Sequence, residues 1–207
     1  MILRAKHHFV IYPFFKWYSR RIVRRNFQEV VYNGDFKDKG LPILLISNHT
    51  TWWDGFWAMV LNLDIFRRKF HFMMLEEQLR RHRYFNYSGG FSVKKGARSA
   101  AESIAYCAEL LSEPGNLVLL FPQGVLTSVH QRQPSFQKGV ERILSQVQHD
   151  VQVIFAAHLT DYLSHKKPTL YIYYEEYLLN DYSLQCLEEG YRNFLNRCTD
   201  QQSRLTE

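Results

Sequence analysis

The sequence predicts an α/β fold: a largely parallel mixed sheet flanked by helices, preceded by an N-terminal amphipathic helical segment of aromatic and basic residues. Three observations carry this. Short uninterrupted apolar runs recur, they alternate with stretches of helical period, and the first 25 residues combine an aromatic run with seven cations and no acid. Continuous apolar runs are what strands buried on both faces need, and strands separated by helices build parallel sheets.

The opening segment reads Phe9-Val10-Ile11-Tyr12-Pro13-Phe14-Phe15-Lys16-Trp17-Tyr18, followed by Arg20, Arg21, Arg24 and Arg25. Its uncharged run, His7 to Phe15, is far shorter than the roughly 20 apolar residues of a spanning helix. It also lacks the small-residue cleavage site of a signal peptide. Rings flanked by cations suit a segment lying in the headgroup layer, with guanidinium groups on lipid phosphates. The alternative is a solvated basic helix that packs its aromatics on the domain.

Four runs then read as strands: Leu41 to Ser47, Asn116 to Phe121, Val151 to Ala156, and the β-branched and aromatic Thr169 to Tyr174. Three helical faces lie between and after them. Ala97, Ala100, Ala101, Ile104, Ala108 and Leu111 share one, ended by Pro114-Gly115. Phe136, Val140, Ile143, Leu144 and Val147 mark the second, and Leu184, Leu187, Tyr191, Phe194 and Leu195 the third. The stretch from Pro114 to Gln131 is interrupted by Gly, Pro and Gln and reads as a strand leading into a loop. No transmembrane helix is expected. We find no repeat or linker, so one domain is expected over 1–207, with a membrane-contact segment at 1–30 and a motif-bearing core at 41–160.

Charge is unevenly placed. Residues 1–98 carry eighteen Lys/Arg against seven Asp/Glu, whereas residues 99–207 carry eight against thirteen. An anionic partner for the first half follows. Zinc-finger, RNP and helix-turn-helix patterns are absent, so an anionic membrane surface is favoured over nucleic acid. The three cysteines, Cys107, Cys186 and Cys198, have no C-x-x-C spacing. That fits packing residues in a reducing compartment better than a disulfide framework or a metal site.

The first strand runs into Ser47-Asn48-His49-Thr50-Thr51-Trp52-Trp53-Asp54-Gly55. A His and an Asp five apart cannot share a helix face, since five residues turn a helix by about 500°. They can meet if His49 ends the strand and Asp54 opens the next helix, at the carboxyl edge where open α/β sheets place their sites. The carboxylate would then fix one ring nitrogen and leave the other as a base. Taken alone, such a pair reads first as a structural His capping a loop. Three further segments follow in order, however: Gly89-Gly90-Phe91-Ser92-Val93-Lys94-Lys95, then Phe121-Pro122-Gln123-Gly124-Val125-Leu126-Thr127-Ser128, then Val151 to Ala156.

On these residues, from about Leu41 to Ala157, the chain resembles the glycerolipid acyltransferases, of which the lysophosphatidic acid acyltransferases are best known. Their N-H-x4-D motif is matched by Asn48, His49 and Asp54. Their Gly-aromatic-apolar motif ending in a cation is matched by Gly90, Phe91, Val93 and Lys95. Their F-P-E-G-T-R-S motif is matched in Phe121, Pro122 and Gly124 only, with Gln123, Val125 and Leu126 at the Glu, Thr and Arg positions. The proline that usually ends their fourth motif is missing.

The resemblance implies an O-acyltransferase that moves a fatty acyl chain from acyl-CoA or acyl carrier protein to a lipid hydroxyl, with no cofactor beyond that co-substrate. His49 would be the base and Asp54 its orienter. Asn48, Gly90, Phe91, Lys95, Phe121, Pro122, Gln123 and Gly124 would bind substrate, and no metal is expected. A thioesterase on the same fold and a membrane-docked lipid-binding protein with weak catalysis are the alternatives. The protein is expected to be peripheral on the cytoplasmic face of a membrane. Leu126 cannot clamp a phosphate as an Arg does, so the expected acceptor lacks a phosphate monoester. Trp52, Trp53, Phe56 and Trp57 read first as core, and His7, His8, His71 and His82 as surface or interfacial residues.

Overall fold

The computed structural model describes residues 2–94, 97–179 and 181–206. The elements are α1 (Ile11–Asn26), β1 (Val30–Gly34), β2 (Ile43–Ser47), α2 (Asp54–Leu61) with a π-helical turn (Asn62–Phe66), β3 (Lys69–Leu75), α3 (Glu76–Arg81), α4 (Tyr84–Tyr87), β4 (Gly90–Val93), α5 (Ala97–Leu110), β5 (Asn116–Leu120), α6 (Gly139–Leu144), β6 (Gln152–Asp161), β7 (Thr169–Glu176) and α7 (Leu184–Gln202).

The strands form one seven-stranded sheet in the order β1-β7-β6-β2-β5-β3-β4. Every neighbouring pair is parallel except β6 and β7, so the fold is the expected α/β architecture with a largely parallel mixed sheet. Two of the continuous apolar runs, β2 and β5, lie side by side near its centre, buried at every position. Helices cover both faces. Val23 of α1 and Phe56 to Leu61 of α2 pack on Ile43, Leu45, Leu117 and Leu119. Ile104, Ile143 and Leu187, from α5, α6 and α7, pack on Leu44, Ile46, Val118 and Phe155. Alternate residues of each central strand thus feed opposite cores, as the two-residue period of a strand requires.

The expected N-terminal helix is α1. Pro13 sits in its first turn, where its missing amide costs nothing, and Arg24 and Arg25 sit in its last turn, complementing the helix dipole. Residues preceding it lie along the free edge of β4. Ser92 donates its amide to the Leu3 carbonyl at 2.9 Å, and Gly89 donates to Lys6 at 3.0 Å. That edge is thereby covered. Gly89, at φ +106°, is held there because a Cβ would stand 2.2 Å from the Phe70 carbonyl oxygen.

Two readings are corrected. His71, expected at the surface, is buried on β3 and bonds Asn116 at 3.2 Å. Burial, together with neighbouring His7 and Lys69, lowers its pKa to about 3. Trp52, expected in the core, is 63% exposed. Among the described residues no helix is long and apolar enough to cross a membrane.

Candidate active site

β2 ends at Ser47, and the chain then turns through Asn48 to Trp53 into α2, whose first residue is Asp54. The turn exists because Asp54 organises it. Its Oδ2 accepts from the Thr50 amide at 2.6 Å, the Thr51 amide at 2.9 Å and His49 Nδ1 at 2.9 Å. Its Oδ1 accepts from the Thr51 hydroxyl at 3.1 Å. The carboxylate is fully buried, so these donors replace the water it has lost. The bond to His49 places a proton on Nδ1 and leaves Nε2 as the free lone pair. The His49 side chain is 28% exposed, open enough to meet a substrate.

Phe121, just past β5, holds the ring from one side: the two rings stack with centroids 4.1 Å apart and 11° between planes. The following loop is pinned to the same spot. Thr127 donates its amide to the His49 carbonyl at 2.9 Å, and its hydroxyl lies 3.3 Å from the same oxygen. Gly124 turns this loop at φ +70°, donating its amide back to the Phe121 carbonyl at 3.0 Å. Pro122 accepts from the Gln137 amide at 2.8 Å. Gln123 is buried, its side-chain nitrogen 3.4 Å from the Thr127 hydroxyl and its carbonyl oxygen without a partner among the described residues.

The remaining residues expected to bind substrate divide differently. Asn48 is buried and tied to β6: its side chain accepts from the His158 amide at 2.9 Å and donates to the His158 carbonyl at 3.1 Å, and it lines a small hollow with Thr50, Gln123 and Thr127. Phe91 is wholly buried against Tyr106 and belongs to the core, and Gly90 is buried in β4 with a Cβ position 2.7 Å from the Phe85 carbonyl. Lys95 lies outside the described residues. The structure therefore brings Asn48, His49, Asp54, Phe121, Pro122, Gln123 and Gly124 together and leaves Phe91 in the core.

One neighbour of the dyad carries no motif. His158 of β6 is buried beside Trp57, ring centroids 5.6 Å apart, with Nδ1 3.3 Å from the Ser47 hydroxyl. Burial lowers its pKa to about 4, against the opposing pull of Asp54. A His inside an apolar strand was the available signal. A hollow of about 960 Å³ between segments 2–6, 79–86 and 102–109 includes none of these residues. No group of three or more His, Cys, Asp or Glu side chains able to hold a metal ion occurs among the described residues.

This geometry sets an imidazole, oriented by a buried carboxylate, at the carboxyl edge of the parallel strand β2. It can take a proton from a hydroxyl or water placed against Nε2. The fold is shared with the crystal structure of the 1-acyl-sn-glycerophosphate (LPA) acyltransferase PlsC from Thermotoga maritima, at a TM-score of 0.57 and 15% identity over 94% of this chain and 81% of that one. No curated protein sequence matches the chain. The model of the Acyltransferase family matches residues 24–159, a span that runs from the end of α1 into β6 and includes the dyad and the loop over it. The chain belongs to the acyltransferase family.

Proposed function

We propose that the protein transfers a fatty acyl group from a thioester, acyl-CoA or acyl carrier protein, to the hydroxyl of a membrane lipid. The observation that carries this is the His49–Asp54 bond, which leaves Nε2 of a partly exposed imidazole free. Nε2 takes the proton of the acceptor hydroxyl as its oxygen attacks the thioester carbonyl carbon. The new O–C bond forms and the C–S bond breaks. The proton passes from His49 to the departing sulfur, which leaves as the thiol, and no acyl-enzyme is formed. Asp54 holds the ring in one tautomer and stabilises the imidazolium while it lasts. Phe121 blocks one ring face and sets the plane in which Nε2 points.

The acceptor in this reading lacks a phosphate monoester beside its hydroxyl. The loop residues Val125 and Leu126 are apolar and exposed, and neither can bind such a group. We also place the protein peripherally on the cytoplasmic face of a membrane. Exposed Phe9, Phe14 and Trp17 accompany the cations of α1, with Arg21 5.6 Å over Trp17, and the cysteines are free thiols.

The test is thiol release by His49→Ala and Asp54→Asn proteins, measured with and without lyso-lipids differing in headgroup. Loss of general-base assistance lowers turnover about 10²–10⁴-fold. A folded His49→Ala protein with near-normal turnover would sink the mechanism. Release independent of any lyso-lipid would make the protein a thioesterase. A higher kcat/KM for lysophosphatidic acid than for every neutral or zwitterionic acceptor would refute the headgroup preference.

A further inference from the structure

The hollow of about 960 Å³ that lies apart from the dyad is walled by the N-terminal segment beside β4, by residues 79–86 and by one face of α5. Four cations line it, Arg4, Lys6, Arg80 and Arg83, against two acids, Glu102 and Glu109, both on α5. Arg4 pairs with Glu109 and lies 4.6 Å over the Tyr106 ring, and Arg80 bonds Glu76, outside the hollow. Lys6 and Arg83 are exposed, and among the described residues neither is ion-paired. Arg81 and Lys94 extend the cationic strip beyond the hollow, both exposed.

Cations left without partners at a hollow fit phosphate groups, and a hollow this large fits a ligand of nucleotide size. The acids on the α5 wall suit the same class of ligand, because ribose hydroxyls and an exocyclic amine donate to carboxylates. A fatty acyl chain would leave all these charges unanswered. The placement agrees. The N-terminal segment runs along β4, and β4, β3 and β5 separate it from β2. Four strand spacings of about 4.8 Å put that wall of the hollow about 19 Å from the strand leading to His49. Leu3, in the same wall, accepts from the Ser92 amide next to the carboxyl end of β4, so the hollow reaches the sheet edge at which His49 stands.

We propose that this hollow binds the phosphorylated nucleotide of CoA, whose pantetheine arm then runs along the sheet's carboxyl edge and sets the thioester beside His49. The donor is CoA rather than a carrier protein, because a hollow with charged walls holds a nucleotide, whereas a protein partner docks on a broad face. The proposal rests on the acyl-transfer reading and names its donor.

Calorimetry on the full chain tests it, with CoA and with adenosine 3′,5′-bisphosphate, which keeps the nucleotide and lacks the arm. Both should bind the wild-type and His49→Ala proteins alike, and more weakly as salt is raised. A K6A/R83A protein, folded by circular dichroism, should bind both at least about tenfold more weakly. Its kcat/KM for acyl-CoA should fall by a similar factor relative to that for acyl-pantetheine, which has no nucleotide. No binding by the wild-type protein, or binding that survives K6A/R83A, would overturn the proposal. An equal loss in R24A/R25A, on α1, would mean attraction to any basic face and overturn it too. Binding lost in K6A/R83A alone, in a protein that turns over no thioester, would keep the site and overturn the acyl-transfer reading instead. Undiminished turnover of acyl-CoA by K6A/R83A, with a fall for acyl carrier protein, would give these cations to the carrier and overturn the proposal.

Discussion

The carboxamide of Asn48 pairs with both backbone groups of His158, accepting its N–H at 2.9 Å and donating to its C=O at 3.1 Å. β2 and β6 stop pairing at Ser47 and Ala156, so the side chain supplies one more rung where the β2 backbone turns away. The next residue is His49. The rung fixes the peptide from which the imidazole projects.

Replacing Asn48 by Ala leaves the buried N–H and C=O of His158 without their partner. Each such group costs about 1–3 kcal/mol, so urea unfolding should show a loss on the order of 2–4 kcal/mol. Turnover should fall more than KM rises, because the base is displaced rather than the acceptor excluded. Asn48→Asp keeps one bond but sets a carboxylate against a carbonyl and should fare no better. Wild-type stability and kcat in Asn48→Ala would show that the rung does not position His49.

Phe121 offers a milder perturbation of the same ring. The stack at 4.1 Å and 11° would, in the proposed mechanism, also set an aromatic face against the imidazolium formed during proton transfer. Such pairs contribute about 0.5–1.5 kcal/mol, so Phe121→Leu should lower kcat by up to about tenfold. Unchanged kcat in a folded Phe121→Leu protein would reduce Phe121 to a packing residue.

The strands that the sequence made legible are those buried on both faces. β2, β5, β6 and β7 each carry a short continuous run of apolar, β-branched or aromatic residues. β1 and β4 are short edge strands, and β3 mixes Lys, His and Met with its apolar residues, so neither period nor composition marked them. The dyad was legible because strand end, turn and helix start were each visible in seven residues. The partner of Asn48 was not, because it is the backbone of a strand 110 residues away, and a backbone partner leaves no trace in side-chain spacing. Phe91 fell inward for a similar reason: a motif position on β4 faces either the site or the core, and only the sheet's register decides which.

Two buried imidazoles should make the fold acid-sensitive. His71 and His158 have pKa values lowered to about 3 and about 4, chiefly by burial, against 6.5 when exposed. Below pH 6.5 the unfolded chain takes up protons that the folded one refuses, so the stability these groups confer is complete above that pH and is lost as the pH falls toward 4. Each contributes a slope of about 1 kcal/mol per pH unit in that window. Urea unfolding at pH 7, 6 and 5 should show the fall, and a His71→Gln/His158→Gln protein should show a flatter dependence whatever its absolute stability. An equally steep dependence in the double variant would assign the effect to other groups.

Gly124 separates backbone shape from chemistry in the loop over His49. Its φ of +70° lies in the left-handed region, which costs a residue with a Cβ about 1–2 kcal/mol. Space is not the obstacle, since a Cβ there would meet only Gln137 Cγ, at 3.4 Å. Gly124→Ala should therefore fold with a stability loss of about 1–2 kcal/mol. If the loop relaxes toward negative φ, Gln123 and Thr127 move with it, and Thr127 loses its hold on the His49 carbonyl. Acyl transfer should then fall at least about tenfold, more than the stability loss alone would produce in a protein still folded at assay temperature. Gly124→Asn, which tolerates the left-handed region better, should recover part of both losses. A Gly124→Ala enzyme that loses stability while keeping full activity would show that the turn supports the fold and not the site.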